Sequence, residues 1–187
     1  MHAFVTIHDA IFRQVERGGS WLLPLAARFV FASTLLLYFW KSGLTKLGDG
    51  IFGLFSPSIG AYSQIFPKQL EAVGYDVSQF GLFQKLVVLA GTYAEFILPL
   101  LIVVGLFTRL ASLGMIGFVI VQSLTDVYGH GATDDKTLGA LFDRFPDAVI
   151  LDQRLFWIFL LAVLVVKGAG ALSADALLRT RMEPAMA

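Results

Sequence analysis

The sequence predicts an all-α integral membrane protein, a four-helix bundle formed by a single domain over residues 1–187. Three observations predict this fold class. Of the residues, 57% are hydrophobic and only 15% are charged, whereas about half of a soluble domain is apolar and a quarter is charged. The mean hydropathy is +0.74. Four segments are apolar over about 20 residues, the length that an α-helix needs to cross the hydrocarbon core of a bilayer.

Composition also narrows the classes of function. The formal net charge is zero, so nothing in the sequence suggests a nucleic-acid partner. The chain contains no cysteine, which excludes disulfide exchange, thiolate metal sites and iron–sulfur ligation by this chain itself. The first twenty residues are too polar for a cleavable signal, and the first apolar run is long enough to stay in the membrane. The lipid bilayer is therefore the first predicted partner.

Residues 3–17 are predicted to form an amphipathic helix before the first span. Ile7, Ile11 and Val15 recur at helical spacing on one face, and polar residues occupy the other. That pattern is typical of a helix lying in the membrane interface. Gly18 and Gly19 are predicted to end it. A docking helix for a partner protein is the alternative interpretation.

The four predicted spans cover about residues 21–46, 86–107, 110–128 and 151–170. An even number of spans places both termini on one side of the membrane. The terminal segments and the short turn at Arg109 carry arginines close to span ends, with few acidic residues. The positive-inside rule gives most weight to such short flanks, so both termini are predicted to be cytoplasmic.

Two longer connections are predicted on the outer side. The first, residues 48–84, is unusually rich in Phe, Gly and Pro. Non-spanning apolar backbone survives at membrane depth only where protein or a cavity satisfies its polar groups. This aromatic-rich outer loop is therefore predicted to be a cap or a partly re-entrant element, and simple interfacial packing is an equal alternative. The second connection, about residues 129–154, is acidic and loop-like.

Glu95 is the most unusual residue of the second span. It follows Leu86 by nine residues, which places it ~13 Å into a hydrocarbon core roughly 30 Å thick. Its side chain is too short to reach either interface, and ionisable groups at this depth usually face the bundle interior and mark function. If Trp21 marks the inner boundary, Arg28 lies at a similar depth and can pair with Glu95. Lys46 is a second candidate, if it bends inward under the cap.

Further polar residues fall near the same depth. On the third span, Phe118, Gln122, Asp126 and His130 are spaced four apart and form one stripe. Together with Glu95 they predict a polar pocket that opens outward. The alternatives are plain: Arg28 and Lys167 can snorkel to the interface, and the polar residues of the stripe can simply hold helices together. The candidate catalytic residues are Glu95, Gln122 and Asp126, and the candidate substrate-binding residues are Arg28, Lys46, Lys167 and Thr92.

In their order along the chain these features resemble the DoxX family of small bacterial four-helix membrane proteins. The resemblance extends from about Ala26 to Leu178. It rests on "SGLTKL" at 42–47, on "AEFILPLLIVVGLFTRLASL" at 94–113 and on "KGAGALSAD" at 167–175. Many members carry a histidine in the third span, where this sequence has Gln122 and Asp126. The closing motif also has a structural interpretation, with Ser173 as the N-cap of a short helix.

The resemblance implies a multi-pass protein of the bacterial inner membrane that takes part in membrane-linked redox chemistry. The leading hypothesis is a quinone or similar small amphiphile bound near Glu95, with a protein partner that supplies electrons or substrate. On this hypothesis the chain is at most the membrane subunit of a quinone-linked oxidoreductase. The alternatives are a metal-handling or transport accessory, with His130 and Asp126 beside Asp134 and Asp135 as ligands, and a non-catalytic partner subunit. Both a monomer and a homo-oligomer stay open.

Overall fold

The computed structural model of the chain describes residues 2–182, and every regular element in that range is helical. Four helical units are long and apolar enough to cross a membrane: Val5–Lys46, Leu82–Val104, Thr108–Gly129 and Val149–Lys167. The predicted all-α four-helix membrane fold is thereby confirmed.

The spans are built from α-helices joined to short π-helical turns. The first contains α1 (His2–Phe31), a π turn (Ala32–Leu36) and α2 (Leu37–Lys46). The second is α5 (Leu82–Val104), and the third is α6 (Thr108–Leu124) with a π turn (Thr125–Gly129). The fourth is a π turn (Val149–Arg154) followed by α7 (Leu155–Lys167), after which comes the short α8 (Ala174–Met182).

The spans form a closed ring. The first span packs against both α5 and α7, and α6 packs between α5 and α7. Large apolar side chains with almost no exposed surface fill the centre, and they come from all four spans: Phe31, Leu35, Phe39, Ile102, Met115, Val119, Leu161 and Leu164. The outward faces carry exposed apolar residues such as Phe29, Ile97, Leu110 and Phe159. An apolar exterior around an apolar core is the pattern expected of a bundle solvated by lipid.

Residues 48–81 form a small helical layer at one end of the bundle, called the cap end here. It contains α3 (Ile59–Ile65), α4 (Pro67–Ala72) and two 3₁₀ turns (Ile51–Leu54 and Val77–Gln79). Its own apolar cluster joins α3 and α4 to the start of α5 through Ala61, Tyr62, Leu70, Phe80 and Val88. Ser58 caps α3 and also donates to the carbonyl of Thr45, which fastens this layer to the end of α2. The opposite end, at residues 105–107, is called the turn end.

The amphipathic segment 3–17 is helical, but the predicted stop at Gly18 and Gly19 is wrong. α1 continues without a break into the first span. A glycine costs a helix only about 1 kcal/mol relative to alanine, and helical neighbours on both sides outweigh that cost. The apolar residues of this segment that were predicted to lie in the interface, including Ile7, Ile11 and Val15, are exposed.

Candidate functional site

Glu95 and Lys46 form a buried ion pair between α5 and α2. The Lys46 Nζ atom donates to both carboxylate oxygens of Glu95, at 2.9 Å from Oε1 and 2.8 Å from Oε2. The Ser42 hydroxyl accepts from Lys46 at 2.8 Å and donates to Glu95 Oε1 at 3.0 Å. Glu95 is 2% exposed and Lys46 4% exposed. Each charge therefore has a charged partner and a shared hydroxyl, which a buried ion pair needs to offset its desolvation.

Local geometry explains why these two residues meet. Cα–Cβ bonds lean toward the N-terminus of a helix, and α2 and α5 run in opposite directions. Lys46 consequently leans toward the bundle interior, while Glu95 leans toward the cap end. Gly43 allows the close approach, since a Cβ atom built there would lie 2.7 Å from the ring of Phe96. Trp40 donates its indole N–H to the Phe96 carbonyl at 3.3 Å and fixes the same contact.

A cavity of about 460 Å³ borders this ion pair. It lies between α5 and α6 on the cap side of the bundle centre, and Gln64 and Ile65 of α3 lie over it. Small residues form much of its wall, namely Ala90, Gly91 and Ala94 on α5 with Gly114 and Gly117 on α6. Its polar lining consists of Ser42, Lys46, Gln64, Glu95, Gln122, Thr125, Asp126 and His130. The size lies within the range of about 300–1,000 Å³ that is typical of small-molecule sites.

The predicted stripe on the third span lines this cavity. Gln122 donates to the Tyr38 hydroxyl at 3.5 Å, while its Oε1 atom is buried with no hydrogen-bond partner. His130 is exposed and lies 3.1 Å from the Gln64 carbonyl, measured from Nε2. The cavity is thus bordered by polar groups from Glu95 upward to His130 at the cap end.

Asp126 has a partner that the sequence did not reveal. Arg154 Nη2 lies 2.6 Å from Asp126 Oδ2, and Nη1 donates to the Ser123 hydroxyl at 3.0 Å. Both members of this ion pair sit in π-helical turns. Such turns shift the side chains that follow them around the helix and are frequent at functional sites.

The structure does not assemble the predicted metal ligands. Asp126 is bound to Arg154, and His130 contacts the Gln64 carbonyl. Asp134 instead accepts from the backbone N–H groups of Lys136 and Thr137. Within residues 2–182, no three His, Cys, Asp or Glu residues lie close enough together to hold a metal ion.

Arg28 does not contact Glu95, and that predicted pairing is wrong. Its guanidinium donates to four backbone carbonyls at the turn end: those of Ile102, Val103, Ala169 and Leu172. Arg28 therefore lies level with the last turn of α5, and the depth estimate failed because Trp21 does not mark the membrane boundary. The bundle-spanning part of the first unit runs from about Arg28 to Lys46, some 27 Å at 1.5 Å per residue.

Two other candidate substrate-binding residues lie outside the cavity lining. Thr92 is 1% exposed and donates its hydroxyl to the Val88 carbonyl of its own helix. Lys167, in the last turn of α7, is exposed at the turn end. Of the predicted site residues, Glu95, Lys46, Gln122, Asp126 and His130 line the cavity, and Thr92 and Lys167 do not.

The closing motif, residues 167–175, takes part in a set of contacts that joins the chain segments at the turn end. We call these contacts, made by Arg28, Gly105, Ser173 and Asp175, the lock. Ser173 accepts from the Ala176 N–H at 3.1 Å and caps α8, as predicted. Asp175, however, caps a different helix: it accepts from the N–H groups of Phe107 and Thr108 at the start of α6. Gly105 ends α5 with φ +75°, and a Cβ atom there would lie 2.6 Å from Ser173 and 2.9 Å from Arg28. This position therefore requires glycine.

Sequence reasoning missed Ser42 and Arg154. Ser42 precedes Lys46 by four residues, so the helical spacing that places both on one face was available in the sequence. Arg154 gave no comparable signal, because it follows an acidic loop and looks like an ordinary interfacial arginine. Only the folding of residues 149–154 onto the end of α6 brings it to Asp126.

Comparison with known proteins agrees with this architecture. A family model described as DoxX matches residues 23–125, more than half of the chain. The matched stretch contains Ser42, Lys46, Glu95 and Gln122. Searches of curated proteins and of solved structures each found no match.

Proposed function

This chain belongs to the DoxX family, and we propose that its cavity beside Glu95 binds a quinone or a similar small amphiphile. In that role it is an accessory in membrane-linked redox chemistry, at most the membrane subunit of a quinone-linked oxidoreductase. One observation carries the proposal. The Glu95–Lys46 ion pair, desolvated at membrane depth, forms part of the wall of a cavity of about 460 Å³.

The energetics of the pair favour a binding role over a purely structural one. Removing two charges from water costs several kcal/mol per ion, and a well-packed apolar pair of similar volume is often at least as stable. A bundle that needed only stability would gain more from such packing. Here the ion pair borders a cavity that the surrounding side chains leave open. A cavity next to charged groups is the arrangement expected where a ligand meets them.

The lining has the chemistry that a ring with carbonyl or hydroxyl groups needs. The Lys46 ammonium, the Ser42 hydroxyl and the Glu95 carboxylate form the polar end, and a ligand carbonyl or hydroxyl would replace one of the hydrogen bonds among them. The walls at Ala94, Gly114 and Gly117 carry no bulky side chain, so a flat ring fits between α5 and α6. Leu98 and Phe118 supply apolar contact at the same level.

Proton transfer would follow the polar side of the cavity. Reduction of a quinone to a quinol takes up two electrons and two protons. The protons would pass by way of His130, Asp126 and Gln122 to Glu95, and the electrons would come from a redox partner protein. Since Asp126 is held by Arg154, its share in this route requires that ion pair to open. We place the protein in the bacterial inner membrane with both termini in the cytoplasm, so the cap end faces outward.

Solvent extraction of the purified protein tests the proposal. Protein prepared in mild detergent is extracted, and quinone is quantified by its ultraviolet spectrum before and after borohydride reduction. We expect nearly one quinone per chain in the wild type and a loss of most of it in Glu95→Gln. The matched control is Glu71→Gln, which makes the same change at an exposed position outside the cavity.

The structural alternative gives a different pattern. If the bundle has no quinone site and Glu95 only holds helices together, the wild type carries no quinone and takes up none when it is added. Glu95→Gln then lowers the unfolding midpoint without any effect on ligand content. Equal quinone in the wild type and in Glu95→Gln would likewise refute a role for this carboxylate in binding.

A further inference from the structure

The cavity has one side that side chains leave open. Ala90 on α5 and Gly114 and Gly117 on α6 line it, and all three residues are exposed on the bundle surface. A Cβ atom built on Gly117 would have no heavy atom within 4 Å. A Cβ atom built on Gly114 would lie 3.2 Å from the Leu98 side chain, which closes the space between the two helices on the side of the turn end. On the cap side of Leu98, α5 and α6 are therefore separated by a slot, which is bordered by Ala90, Gly114 and Gly117.

This slot lies at the depth of the hydrocarbon core. Gly117 follows the start of α6 by nine residues, or ~13 Å along the helix axis. Residues on the same helices that face outward around it are large and apolar, and they are well exposed: Ile97 53%, Leu113 52% and Val121 62%. Such a surface at this depth is the one expected against lipid. The open side of the cavity consequently faces acyl chains rather than water.

At the cap end, contacts between the helical layer 48–81 and the third span narrow the opening of the cavity toward water. His130 meets the Gln64 carbonyl, and Gly129 is packed so closely on Pro67 that a Cβ atom would lie 3.1 Å from that ring. A second hollow of about 350 Å³ continues from the cavity along α6. The two share Ile65, Val121 and Thr125 and together form an elongated groove between α6 and residues 65–69. The groove reaches Leu124 and Tyr128, and Lys68 and Gln69 also line it.

We propose that the ligand enters sideways from the bilayer through the slot between α5 and α6, and that it is a chain-bearing amphiphile. Its polar head reaches Lys46 and Glu95, while its apolar chain stays in the groove along α6. This inference rests on the proposed function, and it adds the route of entry and the requirement for a chain. Ala90 and Gly117 are then the residues that set specificity, because their small size keeps the slot open.

Spin labelling tests the route without any ligand. The chain has no cysteine, so a single nitroxide can be attached at Gly117→Cys without removing other thiols. Its collision rates with oxygen, which partitions into lipid, and with a water-soluble nickel chelate are measured in liposomes. Ile97→Cys is the lipid-facing control, and Asp143→Cys, in an exposed loop, is the aqueous control. We expect position 117 to resemble position 97. Access to nickel, or access to neither reagent, would overturn the lateral route.

Ligand binding tests the requirement for a chain. Two probes are compared by equilibrium binding in mild detergent: decyl-benzoquinone and the same ring without its chain. We expect the wild type to bind the chain-bearing probe about tenfold more tightly, and Gly117→Phe to lose at least about tenfold of that affinity. Ile120→Phe, on the same helix but outside the cavity lining, should behave as the wild type. Ala90→Phe blocks the slot from the other helix and serves if Gly117→Phe does not fold.

The outcomes separate the two proposals. Equal affinity of the wild type for both probes, or full affinity in both blocked variants, would overturn the inference. A wild type that binds neither probe contradicts the proposed function. In that case the nitroxide measurement alone decides whether the slot opens to lipid.

Discussion

The first span carries two buried basic residues, Arg28 and Lys46, and their charged groups are stabilised in different ways. At the turn end, the Arg28 guanidinium donates to four backbone carbonyls from two separate segments. At the cap end, the Lys46 ammonium binds a carboxylate and a hydroxyl beside an open cavity. Arginine suits the first task because its planar fork supplies five donors in fixed directions, whereas lysine presents a compact charge on a flexible stem.

The difference separates a structural charge from a candidate functional one. Two of the four carbonyls, those of Ile102 and Val103, belong to the last turn of α5, where carbonyls lack partners within the helix, and the other two lie in the connection between α7 and α8. The contacts of Arg28 therefore satisfy backbone groups that any fold would have to satisfy. Lys46 instead balances the charge of another side chain, Glu95. A fold without a buried carboxylate at position 95 would need no cation there. We therefore expect changes at the turn end to affect stability alone, and changes at the cap end to affect ligand binding as well.

Arg28→Met should have the largest effect on stability. It removes the guanidinium donors of four buried or half-buried carbonyls, of which that of Ile102 keeps the Gly105 N–H, and loss of one partner from such a network costs about 3–5 kcal/mol. The measurement is the unfolding midpoint in mild detergent, followed by circular dichroism. Arg13→Met, at an exposed position on α1, is the control. A loss below about 1 kcal/mol would show that the carbonyls find other donors.

Lys46→Met tests the other end and should destabilise by about 3 kcal/mol, since it leaves the Glu95 carboxylate buried without its cation. The double variant Lys46→Met with Glu95→Gln removes both charges and should recover most of that loss. Neither variant should bind quinone. Double-variant protein that is stable and still binds the ligand normally would contradict a role for the pair in binding.

The fold was predictable because membrane spans leave a strong compositional signal. Runs of about 20 apolar residues located all four spans to within a few residues, apart from the first, whose helix extends back through Gly18 and Gly19. Two consecutive glycines do not end this helix, since helix stops depend on what the rest of the chain offers as an alternative conformation.

The candidate site was only partly predictable. Glu95 was identified by its depth, and Gln122, Asp126 and His130 by their spacing, because both quantities can be counted along one helix. The partner of Glu95 cannot be found by counting along one helix, because it lies on another helix. The pairing depends on the rotation and tilt of a second helix, and on which residue of that helix marks the membrane boundary. With Trp21 as the boundary of the first span, the depth estimate favours Arg28 over Lys46 as the partner of Glu95. Arg154 depends on the folding of a connection, for which no periodic signal exists.

Asp175→Asn examines the lock at the turn end with a smaller change. The carboxylate accepts from two backbone N–H groups at the start of α6, at 2.8 Å and 3.1 Å. An amide retains one acceptor oxygen but loses the charge that the helix N-terminus favours, so a loss of about 1–2 kcal/mol is expected. Quinone content per folded molecule, measured by extraction, should equal that of the wild type. A drop in quinone content would show that the lock and the cavity are coupled rather than independent.

The smallest effects on stability come from a matched pair of serines, one at each end. Ser42→Ala removes the hydroxyl that bridges Lys46 and Glu95, and Ser173→Ala removes the cap of α8. Each should cost about 1 kcal/mol, the usual value of one hydrogen bond or cap. Only Ser42→Ala should weaken binding of decyl-benzoquinone, by about threefold to tenfold, because it removes a hydroxyl from the cavity wall and leaves Lys46 held by Glu95 alone. If both variants bind the probe equally well, the bridging hydroxyl serves the ion pair alone, and the ligand must be recognised by the Lys46 ammonium.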